Sequence, residues 1–463
     1  MNYSNMKKYT ALLAAGFAMA LPLAAQSKTD LMLEAPKVMD DPEWQKRFLG
    51  SYGFMPSLEP KVNQEEIVVL GDLIEIMKAD PDAAAEQLKL KINDNSSAAL
   101  IFILGNLYFQ QGKLEEAQKY YLMAIEKHPS FLRAHKNIGL LYLQDQDFAN
   151  AQKHLGRASE LGEHDGRTNG LIGYAYLSTD NYLAAEEAYR DAIQQEPDVV
   201  DWQLGLARTL LATERYNEAV SLFDTLIKQQ PNNSMLWMLQ ANAYLGQGKP
   251  MEAAINLEAV RSLGTAKRES LLLLGDIYLN MQMPEAALEV YESAIGNDKT
   301  SAGYPSAIRA ARLLQQIGAA EESTELLEKV KSQYAGMLTT EQELTVLTLQ
   351  AKNARSLGDE VQAIAILKDI VKRDGTNGEA LIELADFYSK SAEAEDLERA
   401  IYYIELAESI EEFEYQALVK HAQMLANKRK YHDAIILLKR ALSIKEEPRI
   451  ERYLAQLERA VNR

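Results

Sequence analysis

Residues Ala98 to Phe131 read AALIFILGNLYFQQGKLEEAQKYYLMAIEKHPSF, and these 34 residues decide the fold. Apolar side chains recur every three to four positions in two runs, separated by a turn containing Gly112, so the stretch is two amphipathic helices folded back on each other. Small residues stand at Gly105, Ala117 and Ala124, bulky ones at Leu104, Tyr108 and Tyr121, and Pro129 closes the second helix. Advancing by 34 residues reproduces the pattern.

The register continues unbroken through six units, 98–131, 132–165, 166–199, 200–233, 234–267 and 268–301. Their eighth positions are Gly105, Gly139, Gly173, Ala207, Ala241 and Gly275; their twentieth are Ala117, Ala151, Ala185, Ala219, Ala253 and Ala287. Small side chains at both let the paired helices approach closely. The eleventh positions, Tyr108, Tyr142, Tyr176, Leu210, Tyr244 and Tyr278, are bulky and are expected to fill the space between neighbouring pairs. Pro129, Pro197 and Pro231 end second helices, because proline cannot continue one.

This pattern resembles the tetratricopeptide repeat (TPR), a 34-residue helix pair. The resemblance implies an all-α TPR solenoid, a right-handed superhelix of antiparallel helix pairs. Residues 64–97 fit the grid as a divergent first repeat, with Ile67, Leu70, Gly71 and Ile74 in place but Gln87 and Leu90 out of pattern. From Ala302 the register slips by two residues, and 302–447 reads as degenerate helix pairs around Gly318 and Gly358, with extra residues at Ser391–Glu395. Residues 448–463 form a capping helix that shields the last apolar face.

The first 25 residues have a short basic start at Lys7 and Lys8, an apolar run from Ala11 to Ala20, Leu21-Pro22, and small residues at Ala24 and Ala25. This is the layout of a secretory signal peptide, cut before Gln26. The apolar run is shorter than the ~20 residues that span a bilayer, which disfavours a membrane anchor, and no later segment approaches that length. Export to the periplasm is the expectation, with no transmembrane span in the mature chain. Residues 26–63 form an N-terminal extension or cap, with Trp44, Phe48, Tyr52 and Phe54 closely spaced and a short helix expected from Pro42 to Leu49. It either packs over the first helix pair or docks a partner.

The chain carries 49 Lys and Arg against 67 Asp and Glu, a formal charge of -18, and has no cysteine. Such an acidic surface repels phosphate backbones and argues against nucleic acid. Lack of cysteine removes disulfides, thiol catalysis and a lipidated cysteine. There is no HExxH, GxSxG, GxxxxGK[ST] or GxGxxG pattern, and the six histidines show no ligand spacing, so neither a metal, a cofactor nor an enzyme is expected. His128, His135, His154 and His164 are assigned to different faces or to turns, His135 at the fourth repeat position, His154 on a second helix and His164 in an inter-repeat turn.

TPR proteins line a concave groove with the first helix of each repeat. Mapped onto this chain, the resemblance places Asn106, Arg133, Lys136, Asn137, Arg167, Tyr174 and Arg208 there, a basic and amide-rich strip in an acidic protein. Asn106, Asn137 and Arg167 match part of a carboxylate-holding clamp known in some members, but Phe102 and Leu171 stand where bases are required. The strip either carries only the groove polarity typical of the family or fixes an extended acidic peptide through charge-assisted hydrogen bonds. Farther along, Arg312, Lys352 and Arg355 line the same face.

The function implied is a non-catalytic scaffold or adaptor for a protein partner. The segment Phe48-Leu49-Gly50-Ser51-Tyr52-Gly53-Phe54, leading into Glu59-Pro60-Lys61, and the run into GNLYFQQG resemble periplasmic TPR proteins that accompany TonB, ExbB and ExbD. That resemblance implies assistance to TonB-dependent uptake, with TonB or ExbD-type partners. The alternative is a TPR component of an exopolysaccharide or cell-envelope assembly machine.

Overall fold

The structure, a computed structural model, describes residues 36–42, 59–296, 300–391 and 393–461. The leader Met1–Ala25, the aromatics Trp44 to Phe54 and, beyond Pro42 itself, the helix expected from Pro42 to Leu49 lie outside the described residues. Every regular element among the described residues is helical. They divide into two compact units that meet in sequence at Thr265 and Ala266.

The first unit contains α1 (Gln64–Ala79), α2 (Pro81–Lys91), α3 (Ala98–Gln110), α4 (Leu114–Lys127), α5 (Leu132–Gln144) and α6 (Phe148–Glu160). It continues with α7 (Gly166–Leu177), α8 (Tyr182–Gln195), α9 (Val200–Ala212), α10 (Tyr216–Gln229), α11 (Ser234–Gly246) and α12 (Pro250–Ser262). Consecutive helices pack together as antiparallel pairs.

The entrance to α1 shows how local chemistry sets a boundary. Asn63 Oδ1 accepts from the Glu66 backbone N–H at 2.8 Å, and Glu66 Oε2 accepts from the Asn63 N–H at 2.9 Å. This reciprocal pairing satisfies two amides that the helix cannot. Glu66 Oε1 also accepts from the Ser97 N–H at 2.6 Å, tying the start of α1 to the start of α3.

Each corner between paired helices is a repeated device. Gly112, Gln146, Asp180, Glu214, Gly248 and Gln282, spaced by 34, all have positive φ, between 56° and 70°. The next residue's N–H reaches back to the eleventh-position carbonyl, as in Asp147 to Tyr142 at 2.8 Å. These are left-handed helix ends that absorb orphan carbonyls. Only two of the six positions are glycine, so the others hold a conformation that costs L-residues free energy.

The core follows from the small positions. Ala117, Ala151, Ala185 and Ala219 are wholly buried, as are the twenty-fourth-position side chains Tyr121, Leu155 and Phe223. A Cβ on Gly173 would stand 2.9 Å from Tyr189 Cδ1, and one on Gly205 would stand 2.2 Å from Tyr189 Cζ. Tyr189 therefore sits between two glycines on successive first helices. The eleventh-position tyrosines are shallower: Tyr108 and Tyr142 are buried, but Tyr176 is only half-buried. One apolar cluster runs from Met39 through Ala243.

The second unit contains α13 (Arg268–Asn280), α14 (Pro284–Gly296), α15 (Tyr304–Gln316), α16 (Ala320–Gln333), α17 (Thr340–Ser356) and α18 (Glu360–Arg373). It ends with α19 (Gly378–Ser389), α20 (Ala394–Glu408), α21 (Glu414–Asn427), α22 (Tyr431–Ile444) and α23 (Pro448–Val461). Here α13 keeps the 34-residue step from α11 whereas α15 begins two residues late. Its buried residues separate into local clusters, around Leu326 and Tyr334, around Leu384 and Tyr388, and around Leu438 and Leu457.

Candidate protein-binding groove

The sequence-derived strip lies on the first helices of the first unit, and most of it is engaged by the protein itself. Asn106 Oδ1 accepts from Tyr121 Oη at 2.8 Å and from Asn137 Nδ2 at 3.0 Å. Asn137 is fully buried, so this pair joins α3 to α5 inside the array. Lys136 is also fully buried, its ammonium 2.8 Å from Asp165 Oδ2 and 3.5 Å from Glu163 Oε2. Burial opposes ionisation of Asp165, yet the Lys136 ammonium and the Thr168 amide hold its carboxyl below the usual range. At Glu163 burial wins, and its carboxyl is pushed up. Arg167 Nε donates to Glu196 Oε1 at 3.1 Å, while the Trp202 indole N–H donates to the other Glu196 oxygen at 3.2 Å.

Three of these contacts join residues 29 or 31 apart: Asn106–Asn137 binds one repeat to the next, while Lys136–Asp165 and Arg167–Glu196 bind a first helix to the far end of its own repeat. Such bonds resist sliding between packed helices. The two non-basic clamp positions are core: Phe102 packs its ring 5.5 Å from Tyr121 and 4.8 Å from Phe131, and Leu171 is wholly buried.

Arg133 differs. Its guanidinium lies 5.5 Å over Phe102 and 5.7 Å over Phe131 and pairs with Glu59, which precedes the first helix. Tyr174 and Arg208 differ again, because both line a cavity of about 440 Å³ with Leu204, Met235, Pro36 and Asp41. Arg208 is 4% exposed and its Nη2 sits 2.9 Å from the Met235 thioether. Burial raises the Tyr174 phenol, so it stays neutral and able to donate. The role of residues 36–41 and 59 had no signal in the periodic pattern, since they lie outside it. The partners of Lys136 were readable in principle, as acids one helix pair onward.

His135 stands on a first helix and His154 on a second, as their repeat positions imply, but the two are not apart. The turn between α5 and α6 brings them together, with their Nδ1 atoms 2.9 Å apart and His135 Nε2 3.1 Å from the Pro129 carbonyl. That carbonyl requires an N–H on His135 Nε2, so His154 Nδ1–H donates to His135 Nδ1. Burial depresses both imidazoles, His154 to about 4 with help from His135 and Lys153. No cluster of three or more metal-ligating side chains occurs among the described residues.

The second unit carries a more open charge cluster. Asp386, 8% exposed, receives Arg355 Nη2 at 3.1 Å, Lys390 Nζ at 3.2 Å and Lys420 Nζ at 2.5 Å. Burial opposes its ionisation, but Lys420 and Lys390 hold the carboxyl below its ordinary value. Arg355 also pairs with Glu383 and lies 5.4 Å over Phe387, and Lys352 meets Glu379 at 2.7 Å. These groups border a smaller cavity of about 260 Å³.

Three stretches match models of the same repeat: 176–243 and 238–302 match a tetratricopeptide repeat, and 105–146 matches a TPR repeat. This is a tetratricopeptide-repeat protein. Among curated TPR-like relatives, DnaJ homolog subfamily C member 3 of Gallus gallus is 24% identical over 68% of this chain, and the match spans 66% of that protein, just under two thirds of its length. TPR repeat-containing protein YpiA of Bacillus subtilis (strain 168) is 19% identical over 79% of this chain and 85% of its own. Among solved structures, a tetratricopeptide repeat protein from Parabacteroides merdae ATCC 43184 aligns with 55% of this chain and 98% of its own, at 24% identity and a TM-score of 0.35.

Proposed function

We propose that this TPR protein is a non-catalytic periplasmic scaffold that holds a protein partner in the groove of its first unit and assists TonB-dependent transport across the outer membrane. The observation that carries the groove assignment is the cavity at Tyr174, Leu204 and Arg208, where a cationic and an aromatic side chain meet apolar walls. Asp198 and Asp201 line it beside Arg208, so such a site holds a partner segment by paired polar contacts of both signs and an apolar side chain by burial. The rest of the strip is engaged by contacts within repeats, between them and with Glu59, and frames that cavity.

Location and pathway are supported by the signal-like leader, by residues Phe48–Phe54 and Glu59–Lys61 that resemble TonB-associated TPR proteins, and by the lack of a helix long and apolar enough to cross a membrane among the described residues. Crosslinking in living cells, followed by mass spectrometry of adducts, tests the reading. Recovery of TonB or ExbD supports it; recovery of a polysaccharide synthase or a porin instead contradicts it and favours envelope assembly.

A further inference from the structure

Charge is unevenly spread along this acidic chain. Residues 414–461, which form α21 to α23, hold ten Lys and Arg against six Asp and Glu, in a sequence with 49 against 67. Arginines elsewhere are mostly held by carboxylates, as Arg133, Arg167, Arg215, Arg309 and Arg373 are. Arg429, Arg449 and Arg459 have no ion-pair partner among the described residues, nor do Lys428 and Lys430, and Arg452 meets only the Pro448 carbonyl, at 3.2 Å. All six are exposed. The other four cations of the region are engaged: Lys420 by Asp386, Lys439 by Glu458, Arg440 by Glu414 and Lys445 by Glu447. That leaves Asp433, Glu446 and Glu451 as the region's acids without an ion pair among the described residues.

Helical spacing gathers the six cations. Arg449, Arg452, Gln456 and Arg459 stand at i, i+3, i+7 and i+10 of α23, on the face opposite Ile450 and Leu457, which are buried against α22. Lys428-Arg429-Lys430 is the corner between α21 and α22, where Arg429 has a φ of 62°. Residues 445–447 fold α23 back along α22, and the 2.9 Å contact of Lys439 with Glu458 shows its last turns heading towards that corner. None of the six lines a cavity described above. They stand on the convex outside of a helix and at the tip of a turn, where a peptide finds no concave path but a flat surface meets the whole stripe.

We propose that this basic end is a docking surface for an anionic lipid membrane. α23 lies along the surface with Arg449, Arg452 and Arg459 among the lipid headgroups, and the corner at 428–430 lies beside it. Six basic residues fall within the about four to eight that hold a segment at an anionic bilayer. The chain as a whole is acidic, but at physiological ionic strength fields fade over about 8 Å, so the charges within reach decide. The acidic remainder is repelled by the same surface, which limits contact to this end and holds the protein in one orientation. The attachment is peripheral and does not depend on the groove of the first unit.

Vesicle flotation tests this with the full chain, so that the apolar run at Ala11–Ala20 is common to every variant. In about 0.1 M NaCl, vesicles of phosphatidylcholine with about 30% phosphatidylglycerol are expected to carry the protein at least about tenfold better than phosphatidylcholine alone, and about 0.5 M NaCl is expected to remove the difference. Arg449→Glu, Arg452→Glu and Arg459→Glu together are expected to abolish the preference, and Lys428→Gln with Lys430→Gln to weaken it about tenfold. Lys228→Glu, Lys331→Glu and Lys372→Glu together change the net charge as much as the arginine triple does, at exposed positions outside α21 to α23, and are expected to leave the preference intact. If the arginine triple lowers helicity by circular dichroism, the lysine pair at the corner carries the measurement. Equal capture by the two kinds of vesicle, or equal losses from the two triple variants, overturns the proposal. So does binding to poly-glutamate without binding to vesicles, which would make the partner an acidic protein.

Discussion

The two units face their grooves with similar residue types yet treat them differently. In the first, Lys136 is wholly buried and the side chains of Arg167 and Arg133 are only about a fifth to a quarter exposed, at 22% and 27%. In the second, Lys352 and Arg355 remain 45% and 42% exposed although they too meet acids. A cation at a groove position therefore does not by itself mean a cation available to a partner. The cores differ in parallel. In the first unit one apolar cluster runs from Met39 to Ala243, whereas the second is divided into local ones, which follows from a register that is strict in one and broken in the other.

That contrast can be broken most forcefully at the buried ion pairs. Lys136→Ala leaves Asp165 and Glu163 facing each other in partial burial and is expected to cost about 3 kcal/mol, the lower end for a broken buried pair. Arg355→Ala, at an exposed site, is expected to cost ~1 kcal/mol or less. Urea unfolding followed by circular dichroism compares them; equal losses would erase the distinction between the grooves.

Overpacking sharpens the same comparison. Gly205→Ala drives a Cβ into Tyr189, and Gly378→Ala does the same to Phe413, with 2.2 Å approaches in both. Each is expected to lose about 1–3 kcal/mol. Hydrogen exchange is expected to show the first loss spread along α3 to α11 and the second confined to α19 to α21. Confinement in both would mean that a continuous core brings no added cooperativity.

Acid is expected to act on the first unit. Both histidines of the pair are depressed in the folded protein below their unfolded value near 6.5. The unfolded chain then binds more protons, so stability is complete above pH 6.5 and falls as pH drops towards about 4. Thermal melts at pH 7 and pH 5 are expected to show a drop that replacing both His135 and His154 with Gln flattens. A drop of the same size in that double variant would assign it to other groups. The smallest effect is expected from Gln146→Gly and Gln282→Gly, one in each unit, where relief of a left-handed conformation exceeds the flexibility of glycine by about 0.5 kcal/mol.

The fold was legible because packing imposes a period. Gly105, Ala117 and their equivalents recur every 34 residues since any larger side chain collides with the paired helix, and that steric rule is written directly into residue size. The depth of Tyr189 was less visible, because bulk alone does not reveal whether a tyrosine faces a neighbouring pair or lies between two glycines. At the groove, periodicity located the residues but not their partners. Arg167 and Arg208 look alike in sequence; only chain geometry shows one held by Glu196 and the other beside a cavity closed by Asp41. The meeting of His135 and His154 was missed because they lie on different helices, and facing across a corner depends on how those helices are rotated.

The most direct test of the scaffold account places a photoreactive residue at Leu204, in the first-unit cavity, and separately at Lys352, in the second-unit groove, in living cells. The account predicts a discrete protein adduct from position 204 that is absent or far weaker from position 352. Adducts from position 352 alone, or from neither position, would contradict it.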